Sequence, residues 1–152
     1  MNAVAEAKKI SEPVFSGFLW KQGGGDNGRK EIANNYYDTF KQLVSDLRED
    51  VKTPDMPVFV FNVLSDEELD KRDQEEFSRK WKYLMPILKA KNGAGRDIPN
   101  AVTVLHGTDL PKVDALHYNT EGQLTLGKMA ASAVKKFYKA LPKSEVRSNA
   151  KK

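Results

Sequence analysis

The chain has 152 residues, enough for one domain with a single core, and its 39% hydrophobic and 30% charged residues are typical of globular proteins. Lys and Arg number 25 against 21 Asp and Glu, a formal net charge of only +4. The absence of cysteine excludes disulfides, thiolate metal sites and cysteine nucleophiles, and no apolar run approaches the roughly 20 residues that span a bilayer.

The first half of the chain alternates between helical and extended patterns. Residues 3–10 have the spacing of a short amphipathic helix without a signal-peptide core, which leaves the compartment open. Residues 14–20 are an apolar run that predicts a buried strand, followed by a glycine-rich loop. Apolar spacing predicts a helix over residues 34–50, and residues 57–64 give the strongest strand prediction in the sequence.

The second half continues the alternation. An acidic turn at residues 65–70 precedes a second long helix, which Pro86 is expected to kink or end. The run Asn-Gly-Ala-Gly at residues 92–95 predicts a closing loop, and residues 101–105 predict a third strand. A final helix is expected from about Thr120 to Pro142.

This alternation predicts an α/β fold, a three-layer α/β/α sandwich around a parallel sheet. Basic residues collect towards the end of the chain, but no aromatic residue follows Tyr138 to stack on bases, so we expect no nucleic-acid partner. The domain is expected to cover residues 1–142, and residues 143–152 are expected to form a basic, disordered tail. Ligand sites in such folds lie at the carboxyl ends of the strands.

The loop after the first strand matches G-x-G-x-x-G at Gly23, Gly25 and Gly28. This pattern alone permits a nucleotide-binding interpretation. A Walker A loop is excluded because Arg-Lys follows Gly28 where Lys-Ser/Thr is required. A dinucleotide site needs an acidic residue at the end of the next strand, which instead ends at Asn62, with Asp66 further on. We therefore rank phosphate binding behind a loop whose glycines allow a close backbone approach.

After the third strand come Asp114 and His117, separated by two residues. A carboxylate at this spacing can accept a hydrogen bond from the ring Nδ1–H and leave Nε2 as a general base. The alternative is a capped turn with a half-exposed histidine, and the spacing alone does not separate the two. His106 is interpreted as a packing residue. With two histidines and no cysteine, we expect no metal site and no cofactor.

Two blocks together resemble one known family. Residues 17–26 (Gly-Phe-Leu-Trp-Lys-Gln-Gly-Gly-Gly-Asp) resemble the G-x-x-W-x-Q-G-E-x-D segment of carbohydrate esterases in the SGNH-hydrolase superfamily, the sialate O-acetylesterase-like and acetylxylan-esterase-like group. Residues 114–127, beginning Asp-Ala-Leu-His, resemble the D-x-x-H block of that group and the glycine-containing helix start after it. The resemblance covers roughly residues 1–140. Members of this group are often secreted or periplasmic.

The resemblance implies a serine esterase that removes acetyl groups from an O-acetylated carbohydrate. It implies that Asp114 orients His117, the base of a Ser-His-Asp triad, and that Gln22 and Gly23 contribute to the oxyanion hole. Gly24 and Asp26 would belong to the substrate loop, where Asp26 is expected to hold the loop together. Gly24 departs from the family pattern, which has Glu at this position.

The larger departure is the nucleophile, which the family carries in a G-x-S turn ahead of the W-x-Q-G block. No serine of this chain has such a setting. The expectation is therefore a truncated C-terminal portion that lacks the first strands and the nucleophile. Its first strand would then have an unpaired edge prone to self-association. The alternatives are a non-catalytic carbohydrate- or partner-binding remnant and, ranked below it, a nucleotide-binding module.

Overall fold

A computed structural model describes residues 3–142, and the expected basic tail at residues 143–152 lies outside this range. Residues 3–142 contain no helix long and apolar enough to cross a membrane. The elements in chain order are α1 (Ala3–Lys8), β1 (Phe18–Trp20), a 3₁₀ helix (Gly24–Gly28), α2 (Lys30–Asn34), α3 (Tyr36–Asp50), β2 (Val58–Asn62), α4 (Asp66–Asp70), α5 (Gln74–Lys80), α6 (Leu84–Asp97), β3 (Ala101–Leu105) and α7 (Thr120–Ala140).

The three strands form one parallel sheet in the order β1-β2-β3. The central strand β2 is buried at all five positions because helices cover both of its faces. Val58 and Val60 pack with residues of α3 and α6, whereas Phe59 and Phe61 pack with residues of α7. Each such side chain contributes roughly 1.5–3 kcal/mol on full burial. The predicted three-layer α/β class is confirmed.

The strand predicted over residues 14–20 is shorter in the structure, where β1 begins only at Phe18. Phe18 is opposite Val58, the first residue of β2, and its N–H donates to Pro57 O. Because Pro57 has no N–H to offer, the ladder between the two strands cannot extend further back. Residues 14–17 therefore approach the sheet without pairing to it.

The prediction of a single long helix after β2 is wrong, because three helices, α4, α5 and α6, occupy this stretch. Pro86 lies in the first turn of α6, where its missing N–H costs no intrahelical hydrogen bond, so it neither kinks nor ends the helix. The loop predicted at residues 92–95 is also wrong, because these residues lie inside α6. A Cβ at Gly95 would overlap the side chain of Thr103 in β3, so this glycine allows the helix to approach the sheet.

A buried pair of asparagines holds the carboxyl end of β2 against α6. Asn62 Nδ2 donates to Leu88 O at 2.8 Å and to Asn92 Oδ1 at 2.7 Å. Asn92 Nδ2 in turn donates to Asp66 Oδ1 at 2.9 Å. Since buried polar groups are costly unless they are hydrogen-bonded, this network fixes the end of β2 in one arrangement. It also occupies Asn62 and Asp66, the residues at which a dinucleotide ribose would be expected.

Candidate active site

The loop between β3 and α7 folds into a small hairpin over residues 111–119. Lys112 and Tyr118 form an antiparallel bridge, and Val113 N donates to His117 O at 2.9 Å. At the base, Asn119 Oδ1 accepts from Gly122 N at 2.9 Å and thereby caps α7. The hairpin is thus anchored to the start of a 21-residue helix.

Asp114 and His117 face each other across the tip of this hairpin. Asp114 Oδ1 accepts from the backbone N–H groups of Leu116 and His117, both at 2.7 Å, and Oδ2 lies 2.7 Å from His117 Nδ1. These hydrogen bonds, led by the one from the His117 ring, lower the pKa of Asp114 to about 2. The carboxylate therefore holds the ring with Nδ1–H towards it and Nε2 pointing away.

The pair is open to solvent. The side chain of His117 is 75% exposed and that of Asp114 is 52% exposed, and the apolar side chains of Val113 and Leu116 beside them are exposed as well. Triad chemistry depends on a site from which water is largely excluded. The pair has acid–base geometry, but the residues described here do not enclose it.

No serine within residues 3–142 donates a hydrogen bond to His117. Ser16 lies ahead of β1, at the amino end of the sheet, and Ser65 caps α4 with its hydroxyl bonded to Glu68. The other serines in this range lie after α1 or within helices: Ser11, Ser45, Ser78 and Ser132. Ser144 and Ser148 fall outside the described residues.

The loop after β1 is organised by the phenol of Tyr36. Trp20 Nε1 donates to this oxygen at 2.9 Å, and the phenol donates towards Gln22 O at 3.0 Å and Gln22 Oε1 at 3.2 Å. Burial and the nearby Asp26 raise the pKa of Tyr36 to about 12, so it remains a donor at any ordinary pH. Gln22 Nε2 uses one N–H on Asp26 Oδ2 at 2.8 Å, which leaves its second N–H for another acceptor.

Gly23 has a backbone conformation that other residues rarely adopt, with φ of 123°. A Cβ here would lie 2.8 Å from Ile87 Cγ2 and 3.1 Å from the Tyr36 oxygen. By contrast, a Cβ at Gly24 or Gly25 would meet no atom within 4 Å. Only Gly23 is therefore required by the packing of this loop, which continues into a 3₁₀ helix and the five-residue helix α2.

The predicted site residues form two separate hydrogen-bonded pairs, Gln22 with Asp26 and Asp114 with His117. Gln22 and Asp26 line a cavity of about 620 Å³ beside α3, whereas Lys112 and Ala115 of the hairpin line another of about 470 Å³. The two loops meet through Lys21, which follows β1 and whose Nζ lies 4.6 Å from the centre of the Tyr118 ring. The cavity beside the hairpin is also lined by the aromatic side chains of Phe77 and Trp81.

His106 lies directly after β3 and is buried against aromatic rings. Its ring stands edge-on to Tyr118 at a centroid distance of 5.9 Å, and its Nδ1 is 2.9 Å from Gly107 O. Burial, followed by the positive charge of Lys21, lowers the pKa of His106 to about 4. His106 is therefore neutral at neutral pH and packs between the sheet and the hairpin.

The sequence analysis missed two lysines beside Tyr118 and one buried lysine in α6. Lys21 and Lys112 lie with their ammonium groups 4.6 and 5.8 Å from the centre of that ring. Lys91 is buried within α6, at 7% exposure. Its position on the apolar face, three residues after Leu88 and three before Ala94, was the available signal, because a lysine there interrupts a buried stripe.

Comparison with known proteins gives a family match and a structural match. A family profile described as "carbohydrate esterase, sialic acid-specific acetylesterase" matches residues 1–136. The X-ray structure of a protein from Arabidopsis thaliana, determined at 1.6 Å resolution, is similar over 87% of this chain, with a TM-score of 0.65 and 26% sequence identity. The chain spans 49% of that protein's length. No curated protein sequence matches the chain.

Proposed function

The chain belongs to the carbohydrate esterase family of sialic acid-specific acetylesterases, and from this membership we propose that it carries the acid–base half of a serine esterase acting on O-acetylated sugars. The observation that supports this best is the 2.7 Å contact between Asp114 Oδ2 and His117 Nδ1. It lies at the carboxyl end of a parallel sheet, the edge at which α/β folds bind their ligands.

In the proposed reaction, His117 Nε2 accepts the proton of a serine hydroxyl as the serine oxygen attacks the acetyl carbonyl carbon. Asp114 keeps Nδ1 protonated and stabilises the positive charge that forms on the ring. The ring then gives its proton to the departing sugar oxygen, which leaves an acetyl-enzyme. Water, deprotonated by the same Nε2, attacks this ester and releases acetate and the free serine.

We assign the stabilisation of the negative carbonyl oxygen to Gln22 and Gly23. The second N–H of the Gln22 side chain has no role within the loop, and Tyr36 and Asp26 hold the amide in place. One such donor typically contributes about 3 kcal/mol to the transition state. In this arrangement Asp26 positions Gln22, and Gly24 forms the exposed part of the loop.

We further propose that the nucleophilic serine is not among the serines of this chain. The exposure of His117 and the hydrogen bonds of Ser65 support this assignment. The serine then comes from polypeptide that covers the hairpin in the assembled enzyme. A fluorophosphonate probe, which labels activated serines, is expected to leave this chain unlabelled. Labelling of a serine between residues 1 and 152 would overturn this part of the proposal.

The esterase proposal is tested by acetate release from O-acetylated N-acetylneuraminic acid and from 4-nitrophenyl acetate. Protein purified from its natural source should hydrolyse both, and His117→Ala should lower kcat by about 10³-fold or more. Asp109→Asn, a change in the same loop, is the matched control. The chain alone should give no turnover that depends on His117. Acetate release that is unchanged by His117→Ala in the natural protein would overturn the proposal.

The exposure of the pair favours a second candidate, a carbohydrate- or partner-binding surface that has lost catalysis. The hairpin cavity, lined by Trp81, Phe77 and Lys112, has the aromatic and polar character of sugar-binding grooves. In that case an acetylated sugar would bind to the natural protein but would remain acetylated. The acetate assay therefore separates the two functions.

A further inference from the structure

The hydroxyl group of Tyr36 lies against both residues assigned to the oxyanion hole. Tyr36 is the first residue of α3, and it is only 6% exposed. Its oxygen is 3.0 Å from Gln22 O and 3.2 Å from Gln22 Oε1, and it also accepts from Trp20 Nε1 at 2.9 Å. A Cβ at Gly23 would lie 3.1 Å from the same oxygen. One buried hydroxyl therefore contacts both the backbone and the side chain of this loop.

The direction of each hydrogen bond follows from the chemistry of the groups. An indole N–H can only donate, so the phenol oxygen accepts from Trp20, and its single proton is left for Gln22. Both Gln22 atoms within reach of that proton are carbonyl oxygens. Trp20, Tyr36 and Gln22 therefore form a chain of donors that runs in one direction, from β1 through α3 into the loop.

Asp26 prevents the Gln22 amide from turning over. Gln22 Nε2 donates to Asp26 Oδ2 at 2.8 Å, and an ionised carboxylate can only accept. In the reversed amide, Oε1 would lie beside this carboxylate with no hydrogen between the two oxygens. Because Tyr36 faces Oε1 and Asp26 takes one N–H, the second N–H of Nε2 is the group that the amide presents outside the loop.

The hydrogen bond from Tyr36 to Gln22 O also orients the N–H of Gly23. These two groups belong to one peptide unit, which is trans. In a trans peptide the C=O and the N–H point in opposite directions, so the carbonyl faces the phenol and the N–H faces away from it. Gly23 is buried, and its N–H has no hydrogen-bond acceptor within residues 3–142. Since buried N–H groups are nearly always paired, this one is suited to an acceptor that a ligand supplies.

We propose that Tyr36 is the positioning residue of the oxyanion hole and that Trp20 directs its hydroxyl. One O–H group orients two donors of different kinds, the side-chain N–H of Gln22 and the backbone N–H of Gly23. This assignment rests on the proposed function for the role of the two donors, and on the hydrogen bonds described above for their orientation. Donors that are fixed before the reaction stabilise the developing negative charge without a cost of reorganisation.

The kinetic test is Tyr36→Phe, which removes the oxygen and keeps the ring in the core. In the natural protein, kcat for 4-nitrophenyl acetate should fall about 10- to 100-fold, with KM changed by less than about threefold. Tyr37→Phe is the matched control, because it removes the same oxygen from the next residue of α3, whose ring packs against the same core. Its kcat should match that of the wild type. An equal fall in both variants would overturn the inference.

A double-mutant cycle with Gln22→Ala separates positioning from general damage to the fold. If Tyr36 acts through the donors, Tyr36→Phe should lower kcat by a factor at least about threefold smaller in the Gln22→Ala background than in the wild type. The reason is that one of the two donors is already absent from that background. The same factor in both backgrounds would contradict a positioning role.

NMR of the ¹⁵N-labelled full chain tests the orientation without turnover. In Tyr36→Phe the Trp20 indole proton should shift upfield as it loses its acceptor, and the side-chain N–H signals of Gln22 should move. Tyr37→Phe should leave these signals in place. Unchanged signals in Tyr36→Phe would overturn the inference even where acetate release depends on His117. Shifted signals in a protein that releases no acetate would instead contradict the esterase proposal.

Trp20→Phe provides a second variant in case Tyr36→Phe does not fold. It keeps an aromatic ring in β1 and removes only the indole donor behind the phenol. The phenol proton is then no longer directed to Gln22, so the Gln22 side-chain signals should shift and kcat should fall. Signals and kcat equal to those of the wild type would overturn the role of the donor chain.

Discussion

The ammonium group of Lys21 lies 4.6 Å from the centre of the Tyr118 ring, and this contact joins the loop after β1 to the hairpin after β3. Lys21 and Tyr118 are 97 positions apart in the sequence, and their loops follow the two outer strands of the sheet. Each loop also contains a hydrogen-bonded pair, Gln22 with Asp26 and Asp114 with His117. The candidate site is therefore made of two locally formed halves in contact through one cation and one aromatic ring.

Asp114→Asn should change which nitrogen of His117 carries the proton. With a carboxylate at 2.7 Å, Nδ1 is protonated in the neutral ring, whereas an amide can present its NH₂ group and favour Nε2–H. The ¹⁵N chemical shifts of the His117 ring measure this directly, without turnover. Asp109→Asn is the control and should leave them unchanged. Identical ring shifts in the wild type and Asp114→Asn would contradict the hydrogen bond.

The same carboxylate makes a contribution to stability that depends on pH. The folded-state pKa of Asp114, about 2, lies below its ordinary value of 3.8, so the unfolded chain binds more protons between these values. Its stabilising effect is present above about pH 4 and is lost as the pH falls towards 2. The free energy of unfolding, measured with urea, should therefore fall less steeply with decreasing pH in Asp114→Asn than in the wild type. Parallel pH profiles of the two proteins would show that the carboxylate is not stabilised.

Gly23→Ala should destabilise the fold by about 1–3 kcal/mol, because Cβ meets Ile87 and the backbone has φ of 123°. Gly24→Ala is the matched control, since its Cβ meets nothing within 4 Å. Its free energy of unfolding should remain within about 0.5 kcal/mol of the wild type or rise. Chemical denaturation of the wild type and the two variants measures these free energies of unfolding. Equal losses in both variants would refute the special role of Gly23.

Lys91→Met should stabilise the protein at neutral pH, by up to about 3 kcal/mol. The pKa of Lys91 is lowered from 10.5 to about 8 in the folded state, so folding disfavours its charged form. The unfolded chain binds more protons between pH 8 and 10.5, and stability due to this group rises with pH across that window. The difference in unfolding free energy between variant and wild type should shrink there. A constant difference would contradict the lowered pKa.

The free edge of β1 leads to a prediction about self-association. Within residues 3–142, β1 pairs only with β2, and Leu19 in its centre is 51% exposed. We propose that the isolated chain associates through this edge at micromolar concentration, which sedimentation velocity can detect. Leu19→Lys should reduce the association, whereas Leu124→Lys, at an exposed position of α7, should not. A monomer with a sharp melting transition would refute the proposal.

The sequence predicted those parts of the fold whose cause is local. The four apolar residues that begin β2 and the spacing in α3 are sufficient for the sheet and its first covering helix. The error at residues 92–95 has a tertiary cause. Glycine and asparagine normally end a helix, but Gly95 is needed where α6 touches Thr103, and Asn92 is paired with Asn62. Neither partner is near in sequence, so no local pattern could reveal these requirements.

At the candidate site, too, features with a local cause were predictable from the sequence and features with a tertiary cause were not. The spacing of three residues allows the hydrogen bond between Asp114 and His117 that the structure forms, but the spacing alone did not separate this pair from a capped turn, and the resemblance of the two blocks to one family was needed to favour it. Lys21 and Lys112 come from two different loops, and only the folded chain reveals that both lie beside the Tyr118 ring. The role of Tyr36 was also invisible, because its phenol reaches Gln22 across 14 positions of sequence.

The hairpin at residues 111–119 has a consequence for how such a site is assembled. Asp114 and His117 lie within one turn, so the distance between them does not depend on how the sheet and helices pack. Any movement of the hairpin carries both residues together as a rigid unit. For the esterase proposed above, the geometry that remains to be set is a single docking between this unit and the polypeptide that carries the proposed serine. In that proposal catalytic competence depends on this docking, whereas the pairing of carboxylate and imidazole is already formed within four consecutive residues.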